Sequence, residues 1–425
     1  MQVIENLNVK EKLYIEKLEN GLTVMIIPKK AVRKKYVMWA TRFGSIDNKF
    51  IIPGEEKPTE VPDGVAHFLE HKMFEQENGK NSLDVLTALG VNANAYTTNN
   101  YTTYLFEATD NFYEALDELM DYVQNPYFTD ENVEKEKGII AQEIKMYDDY
   151  PDWAVYMNAI KNMYKVNPIR IDIAGDVKSI YKIDKDILYK CCNTFYNPSN
   201  MVMCFCGDFE PNDLIEEVKK RLIEKPKQGD IKRIYEEEQE EIVEKRVEQT
   251  MEVSLPLFVI GIKDRLPSKD ENMVKKHIAI EILLNMIIGK SSKLYKELYE
   301  SELLTAEPYL EYEFTDKYAH IAITGASKDP DKVLEKMQNE IQRLKEEGLQ
   351  EKHLERIKNM LYGNAVKEFN NVSDIARMFI SDYFKGINSF DYLEEYKQIT
   401  PEYVYEILKE VFNEDKIVLS IVKGK

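Results

Sequence analysis

Two histidines and a glutamate stand close together in the segment His67-Phe68-Leu69-Glu70-His71. Residues four apart on an α-helix project from one face, so His67 and His71 can direct two imidazole nitrogens at one metal ion. Glu70 falls one position before His71, near enough to such an ion to hold its water, and a carboxylate placed there can act as a general base. The spacing therefore predicts a metal site that activates water.

A hydrolytic zinc site takes three protein ligands and leaves a fourth position for water. The other histidines, His277, His320 and His353, are scattered through the second half, and we interpret them as packed or solvent-facing side chains. Glu136 and Glu143 are a better source of the third ligand, because residues seven apart share one face of a helix. One of the two can ligate the ion and the other can support the site.

The elements that must position these residues follow from periodicity and turn signals. A helix is expected to begin at Val65 after the turn-like Pro62-Asp63-Gly64, and residues 130–147 have apolar side chains at helical intervals. Residues 91–108 are rich in threonine and tyrosine, which predicts an antiparallel hairpin. Strands are also predicted over residues 22–28, 36–43 and 201–206, and helices over residues 82–89, 111–123 and 186–195.

A helix followed by a strand occurs twice in the chain. The first copy runs from Ile183 through residues 200–204, and the second runs from Ile399, 216 residues later, through residues 416–420. An interval of about half the chain predicts two similarly built α+β halves. The charge-dense segment 225–246 is the expected solvated linker, so we expect a catalytic domain over residues 1–224 and a second domain over residues 247–425.

Charge and composition exclude several classes of function. The formal net charge is −19 and no basic stripe interrupts it, which argues against a nucleic-acid partner. No window is apolar for long enough to cross a membrane and the first 21 residues carry no export signal, so a cytoplasmic location is expected. The four cysteines fall in two close pairs without zinc-knuckle spacing, and we interpret them as reduced core residues.

The metal-site residues resemble the insulinase/pitrilysin family of peptidases, whose inverted zinc motif is His-X-X-Glu-His. The resemblance covers most of residues 20–210 and, more weakly, the second half. Besides the histidine motif and the glutamate pair, it rests on Asp63-Gly64-Val65-Ala66, Leu89-Gly90, Asn94-Ala95-Tyr96-Thr97, Tyr196-Asn197-Pro198-Ser199-Asn200-Met201 and Gly207-Asp208.

This resemblance assigns a role to each residue of the site. It implies that His67, His71 and Glu143 hold one Zn²⁺ per chain and that Glu70 is the base. Glu136 is then the residue that steadies the ligands from outside the coordination sphere. The implied fold is α+β, with two structurally similar domains, each a mostly antiparallel sheet covered by helices on one side.

The resemblance also implies how substrate binds. The family adds a peptide as a strand to a sheet edge, which would place Asn94 and Ala95 against the peptide backbone. An ordinary hairpin with no substrate contact is the alternative for these two residues.

The second half departs from the family pattern. Family members of this build usually carry an arginine and, seven residues later, a tyrosine that hold the substrate carbonyl, whereas Tyr299 and Ala306 stand at the matching places. We therefore expect a zinc metallopeptidase that works with a related subunit in a heterodimer, or as a homodimer. A non-catalytic scaffold subunit and a module that binds peptides without cutting them are the alternatives.

Overall fold

A computed structural model describes residues 1–425, which divide into two compact units. Unit 1 comprises Met1–Ile144, Ile171–Tyr235 and Glu368–Ser389, and unit 2 comprises Lys145–Arg170, Glu236–Lys367 and Phe390–Lys425. This grouping differs from continuous domains over residues 1–224 and 247–425, because each unit takes one segment from the other half of the chain.

Strands and helices occur in separate runs along the chain, as is typical of an α+β protein. The strands are β1 (Gln2–Asn6), β2 (Glu11–Lys17), β3 (Thr23–Pro28), β4 (Lys35–Thr41), β5 (Lys49–Ile51), β6 (Thr59–Glu60), β7 (Asn92–Thr97), β8 (Thr102–Ala108), β9 (Met201–Gly207), β10 (Lys232–Arg233), β11 (Arg246–Thr250), β12 (Leu257–Lys263), β13 (Tyr309–Phe314), β14 (Ala319–Ala326) and β15 (Ile417–Lys423). The helices are α1 (Val65–Lys72), α2 (Ser82–Ala88), α3 (Phe112–Gln124), α4 (Asp130–Asp148), α5 (Pro151–Met163), α6 (Val177–Ile180), α7 (Lys185–Phe195), α8 (Pro211–Arg221), α9 (Met273–Ile287), α10 (Lys293–Glu300), α11 (Pro330–Glu347), α12 (Glu351–Glu368), α13 (Val372–Lys385), α14 (Phe390–Gln398) and α15 (Pro401–Val411). None of these helices has both the length and the apolar character needed to cross a membrane.

Unit 1 is built on a seven-stranded sheet in the order β1-β2-β3-β9-β4-β8-β7, with β7 at one edge. β3 and β9 run parallel, and the other neighbours run antiparallel. Because side chains alternate along a strand, Val37 and Trp39 enter the main core while Met38 and Ala40 face the other way. That second face is also buried, and α13 packs against β4 and β9.

Unit 2 has five strands in the order β11-β15-β12-β14-β13, which repeats the order β3-β9-β4-β8-β7 of unit 1. β11 and β15 run parallel and the remaining pairs run antiparallel, as in the matching strands β3, β9, β4, β8 and β7. Helix α5 packs against β12 and β15. Gly261 permits this approach, because a Cβ atom there would lie 2.8 Å from the sulfur of Met163.

The predicted internal repeat is present in the structure. Helix α7 leads into β9 and helix α15 leads into β15, and each helix begins at a side-chain cap, Asp184 or Thr400. The prediction of two similar α+β domains with mostly antiparallel sheets is thus confirmed. Helices α13 and α5 add cover beyond the single helical layer that was expected.

The segment 225–246 is more than a solvated connector. Lys232 and Arg233 form β10, which pairs with β5, and Arg233 lies 3.0 Å from the carboxylate of Asp47. In unit 2, the carboxylate of Glu238 is 5% exposed and contacts the Lys263 ammonium at 2.7 Å. Glu238 also accepts hydrogen bonds from three consecutive backbone amides, those of Lys165, Val166 and Asn167.

Replacing Glu238 by Gln should destabilise unit 2 by about 3 kcal/mol, because it leaves the buried Lys263 charge without its partner. Burial alone would raise the pKa of Glu238, but the backbone amides and Lys263 outweigh it and lower the pKa. The stabilisation is therefore complete above the ordinary glutamate pKa of about 4.3 and is lost as the pH falls through the lower folded-state value.

Thermal unfolding of the wild-type protein and the variant between pH 3 and pH 7 measures this difference. Glu237→Gln is the matched control, because Glu237 is exposed and forms no ion pair. Equal melting temperatures for Glu238→Gln and Glu237→Gln at pH 7 would contradict the prediction.

Candidate metal centre

Helix α1 begins at Gly64, whose backbone is left-handed with φ 86° and ψ −2°. A Cβ atom at this position would lie 2.2 Å from the carbonyl oxygen of Ala174, so only glycine fits this start of the helix. The helix then buries Phe68 and Leu69 in the unit 1 core and packs against β7 and β8. His67 and His71 lie on a different face and remain partly exposed.

Helix α4 brings Glu143 to the two histidines. Nε2 of His67 lies 3.7 Å from one carboxylate oxygen of Glu143, and Nε2 of His71 lies 3.5 Å from the other. One donor atom from each of the three residues lies within 4.8 Å of the other two. The three residues therefore converge on one point from two helices.

These separations fit a metal site better than direct hydrogen bonding. Hydrogen bonds to nitrogen are typically about 2.7–3.2 Å long, shorter than both distances. Two ligand atoms that each lie about 2.1 Å from a tetrahedral ion are roughly 3.4 Å apart. Two imidazoles and a carboxylate also form a donor set that zinc accepts. The residues present thus fit a divalent metal ion of the zinc type.

Glu136, two helical turns before Glu143, holds His71 from the side away from the cluster. Its carboxylate contacts Nδ1 of His71 at 3.0 Å and the ammonium of Lys72 at 3.4 Å. Lys72 is fully buried and also contacts Glu75 at 2.8 Å. A carboxylate that accepts from Nδ1 leaves the Nε2 lone pair free to face the Glu143 side.

Glu70 is held by the edge strand β7. The hydroxyl of Thr97 donates to Oε2 of Glu70 at 2.7 Å and lies 3.3 Å from the hydroxyl of Thr102 in β8. This bond fixes one carboxylate oxygen and leaves Oε1 for another partner.

Burial and neighbouring charges shift the pKa values of these groups in different directions. Burial lowers the pKa of His67 to about 3, so its imidazole is neutral and can donate a lone pair. Burial also raises the pKa of Glu70 more than its bond to Thr97 lowers it. Burial opposes the charge on His71, but the hydrogen bond and negative charge of Glu136 raise its pKa overall. Glu136 itself is shifted toward the ionised form, because His71 and Lys72 together outweigh burial and lower its pKa.

Asn94 and Ala95 lie on β7, the open edge of the sheet that also carries Thr97. Asn94 is exposed, and its side-chain oxygen accepts a hydrogen bond from the Ala95 amide at 2.9 Å. The structure therefore brings the candidate substrate edge and Glu70 together within unit 1, because Thr97 is two residues beyond Ala95.

The remaining candidates for metal binding lie elsewhere. His67, His71 and Glu143 form the one group of three or more His, Cys, Asp or Glu side chains with donor atoms close enough for a shared ion. His277 contacts the hydroxyl of Tyr392, and His320 is buried against Tyr164. The cysteines are buried and unbridged, and burial raises the pKa of each thiol. Tyr299 and Ala306 are both exposed in unit 2.

Sequence reasoning missed Lys72 and Thr97 as parts of this site. A lysine directly after the histidine motif carries no pattern that predicts complete burial. Thr97 lies in the segment Asn94-Ala95-Tyr96-Thr97, on which the family resemblance partly rests, and strand alternation places its side chain on the same face as Ala95, away from Tyr96. That alternation was the available signal for its contact with Glu70.

Comparisons with known proteins agree with this geometry. Residues 54–177 match the family described as Insulinase (Peptidase family M16), and residues 182–361 match the Peptidase M16 inactive domain. The uncharacterized zinc protease YmfH of Bacillus subtilis (strain 168) is 40% identical over 427 residues, covering 99% of each chain. A probable mitochondrial-processing peptidase subunit beta of Arabidopsis thaliana is 27% identical over 175 residues, covering 40% of this chain and 33% of that protein.

A solved structure shows the same fold over nearly the whole chain. The putative M16-like peptidase from Alicyclobacillus acidocaldarius superposes with a TM-score of 0.93 at 32% identity, covering 99% of this chain and all of that one. The sequence match at 40% identity and the fold match each cover 99% of this chain, and the histidines and the glutamate converge within it. This chain belongs to the insulinase family, peptidase family M16.

Proposed function

We propose that this protein is a zinc metalloendopeptidase that hydrolyses peptides. The observation that carries the proposal is the convergence of His67, His71 and Glu143, with Glu70 on the same helix as the two histidines. These three residues would hold one Zn²⁺ per chain. When bound, a zinc ion would polarise a carbonyl group and make a neighbouring water molecule more acidic.

Glu70 has the position and the protonation behaviour of a general base. Its Oε2 is occupied by Thr97, so Oε1 is the atom that accepts a proton from the attacking water. Its raised pKa favours taking up that proton and then giving it to the leaving amine as the C–N bond breaks. The products are a new carboxylate and a free amine, and Glu70 returns to its ionised state.

The edge strand β7 is the proposed binding site of the substrate. A peptide added along this edge would hydrogen-bond to the backbone near Asn94 and Ala95, with its side chains alternating in direction. The Ala95 amide now bonds to the Asn94 side chain, and a peptide carbonyl would compete for that donor. Because Thr97 belongs to the same strand, a peptide bound there lies close to Glu70.

We further propose that full activity needs a related subunit. Tyr299 and Ala306 stand where this family usually carries the arginine and tyrosine that hold the substrate carbonyl. The resemblance to a peptidase named as a beta subunit supports this division of roles between chains. A cytoplasmic location, expected from the sequence, is part of the same proposal.

Glu70→Gln should keep its zinc and lose at least about 10²-fold in hydrolysis rate, because a general base typically contributes that much or more. Zinc content by atomic emission and cleavage of a quenched peptide library, each measured with the related subunit present, test the prediction. Glu77→Gln is the control, since Glu77 is exposed and unpaired. Wild-type turnover by Glu70→Gln would contradict the assignment of the base and favour another residue.

Glu136→Gln should weaken zinc binding by about 10- to 100-fold, because it removes the charge that orients His71 and balances Lys72. Competition with a chromophoric chelator measures the affinity without any need for activity. Glu131→Gln on the same helix, an exposed residue without an ion pair, should bind zinc like the wild type. If Glu136→Gln and Glu131→Gln have equal zinc affinity, Glu136 has no role in holding the ligand.

The isolated chain should bind zinc but cleave peptides at least about 10²-fold more slowly than the chain mixed with a related subunit, because one side of the electrostatic clamp on the carbonyl is absent. The comparison uses a family member from the same organism that lacks the His-X-X-Glu-His motif. Full turnover by the isolated chain would refute the need for a partner.

A further inference from the structure

A polar pocket of about 390 Å³ opens at one end of the unit 1 sheet. It is lined by the residues that lead into β9, by Tyr383 and Phe384 at the end of α13, and by the segment 227–231. The charged side chains of the lining are four cations and one acid, namely Lys17, Arg42, Lys227, Arg233 and Asp230.

Three of these cations have no acidic partner. Arg233 is paired with the buried carboxylate of Asp47 at 3.0 Å. Lys17, Arg42 and Lys227 are exposed and take part in no ion pair within the protein. In a chain of net charge −19, three unpaired cations around one pocket create a local positive field.

The pocket lies at the same end of the sheet as Glu70. Met201, in the pocket lining, pairs with Thr41, which pairs with Thr102, which pairs with Thr97. Four strands in register at about 4.8 Å spacing place Met201 roughly 14 Å from Thr97, the residue that bonds to Glu70.

Aromatic side chains join the pocket wall to the edge strand. Phe384 stacks on Tyr101 with ring centroids 5.1 Å apart, and Tyr101 lies 6.1 Å from Tyr96 of β7. Arg377 of the same helix α13 lies 5.3 Å over the Tyr96 ring, is exposed and has no ion-pair partner. Unpaired positive charge therefore extends from the pocket toward β7 on the side of the sheet that carries α13.

We propose that this pocket binds carboxylate groups of the peptide substrate, so that the protein selects peptides with an acidic segment. The inference rests on the proposed peptidase function. An extended chain covers about 3.3 Å per residue, so the carboxylates lie at least four residues from the bond that is cut. Positions closer to that bond lie too far from the three cations for a direct charge contact.

Peptide binding to the Glu70→Gln protein tests the proposal without turnover. Fluorescence anisotropy compares labelled peptides of one neutral sequence in which a Glu-Glu pair, or a Gln-Gln pair, is moved two residues at a time. We expect the best Glu-Glu peptide to bind about five- to tenfold more tightly than its Gln-Gln counterpart, the scale of a few partly exposed charge contacts. The ratio of the two affinities, Glu-Glu over Gln-Gln, should fall when the salt is raised from 50 to 500 mM.

Two triple variants of the Glu70→Gln protein test whether the three cations of the pocket cause the preference for the Glu-Glu peptide. Lys17→Gln/Arg42→Gln/Lys227→Gln should bring the ratio close to one. Lys10→Gln/Lys30→Gln/Arg33→Gln makes the same charge change at three exposed, unpaired positions of unit 1 and should leave the ratio intact. The double variant Lys17→Gln/Lys227→Gln gives the same comparison if the triple variant unfolds.

Three outcomes overturn the proposal. The affinity ratio is near one in the Glu70→Gln protein, or both triple variants lower the ratio equally, or neither peptide binds. A preference for free anions alone, seen as a melting temperature raised by inorganic phosphate without any difference between the peptides, also overturns it. Hydrolysis of the Gln-Gln peptide by the wild-type protein with its related subunit reports on the proposed peptidase function separately. Its absence counts against that function, whatever the binding ratio.

Discussion

The carboxylate of Glu136 bonds to two consecutive residues of α1, and the geometry of the metal site depends on this link. It joins the helix that carries both histidines to the helix that carries Glu143. Glu136 and Glu75 together balance the fully buried ammonium of Lys72, because an unpaired ammonium in the core is strongly unfavourable. The rotation of helix α1 about its own axis is therefore fixed by the contacts of Lys72 as well as by the apolar face of the helix. The Glu136 carboxylate also orients His71. A change at Glu136 affects the fold of this corner and the ligand geometry together.

The distribution of charge in unit 1 divides the same sheet into two environments. Glu70, Glu136 and Glu143 crowd the metal centre, where a divalent cation would balance them. Lys17, Arg42 and Lys227 surround a pocket at the same sheet end, where no acid of the protein pairs with them. A net charge of −19 conceals this local contrast. The total charge alone would point to basic peptides, whereas the arrangement of the individual residues favours a peptide with an acidic segment.

Much of the fold could be predicted from short-range signals. The helix start at Gly64, the hairpin that became β7 and β8, and the repeat of α7-β9 in α15-β15 all follow from turn residues, strand propensity and spacing. The exchange of α5 and α13 between units could not be predicted, because the sequence of neither helix indicates which sheet the helix covers. Glu238 was expected to be solvated because it lies in a run of acids, and only tertiary contacts with Lys263 distinguish it from its neighbours. For the site, helical spacing predicted that Glu136 and Glu143 share one helix face. The burial of Lys72 depends on tertiary contacts and could not be predicted from the sequence.

The most direct test of the central claim is a titration of metal-free protein with Zn²⁺, in the presence of a related subunit, while hydrolysis of a quenched peptide library is followed. Activity should be absent at the start, rise in proportion to added zinc and reach its maximum at one equivalent per chain. His71→Ala should show neither uptake nor activity, because the cluster then loses one of its three ligand atoms. Hydrolysis by the metal-free protein, or one-equivalent zinc uptake that His71→Ala leaves unchanged, would contradict the account.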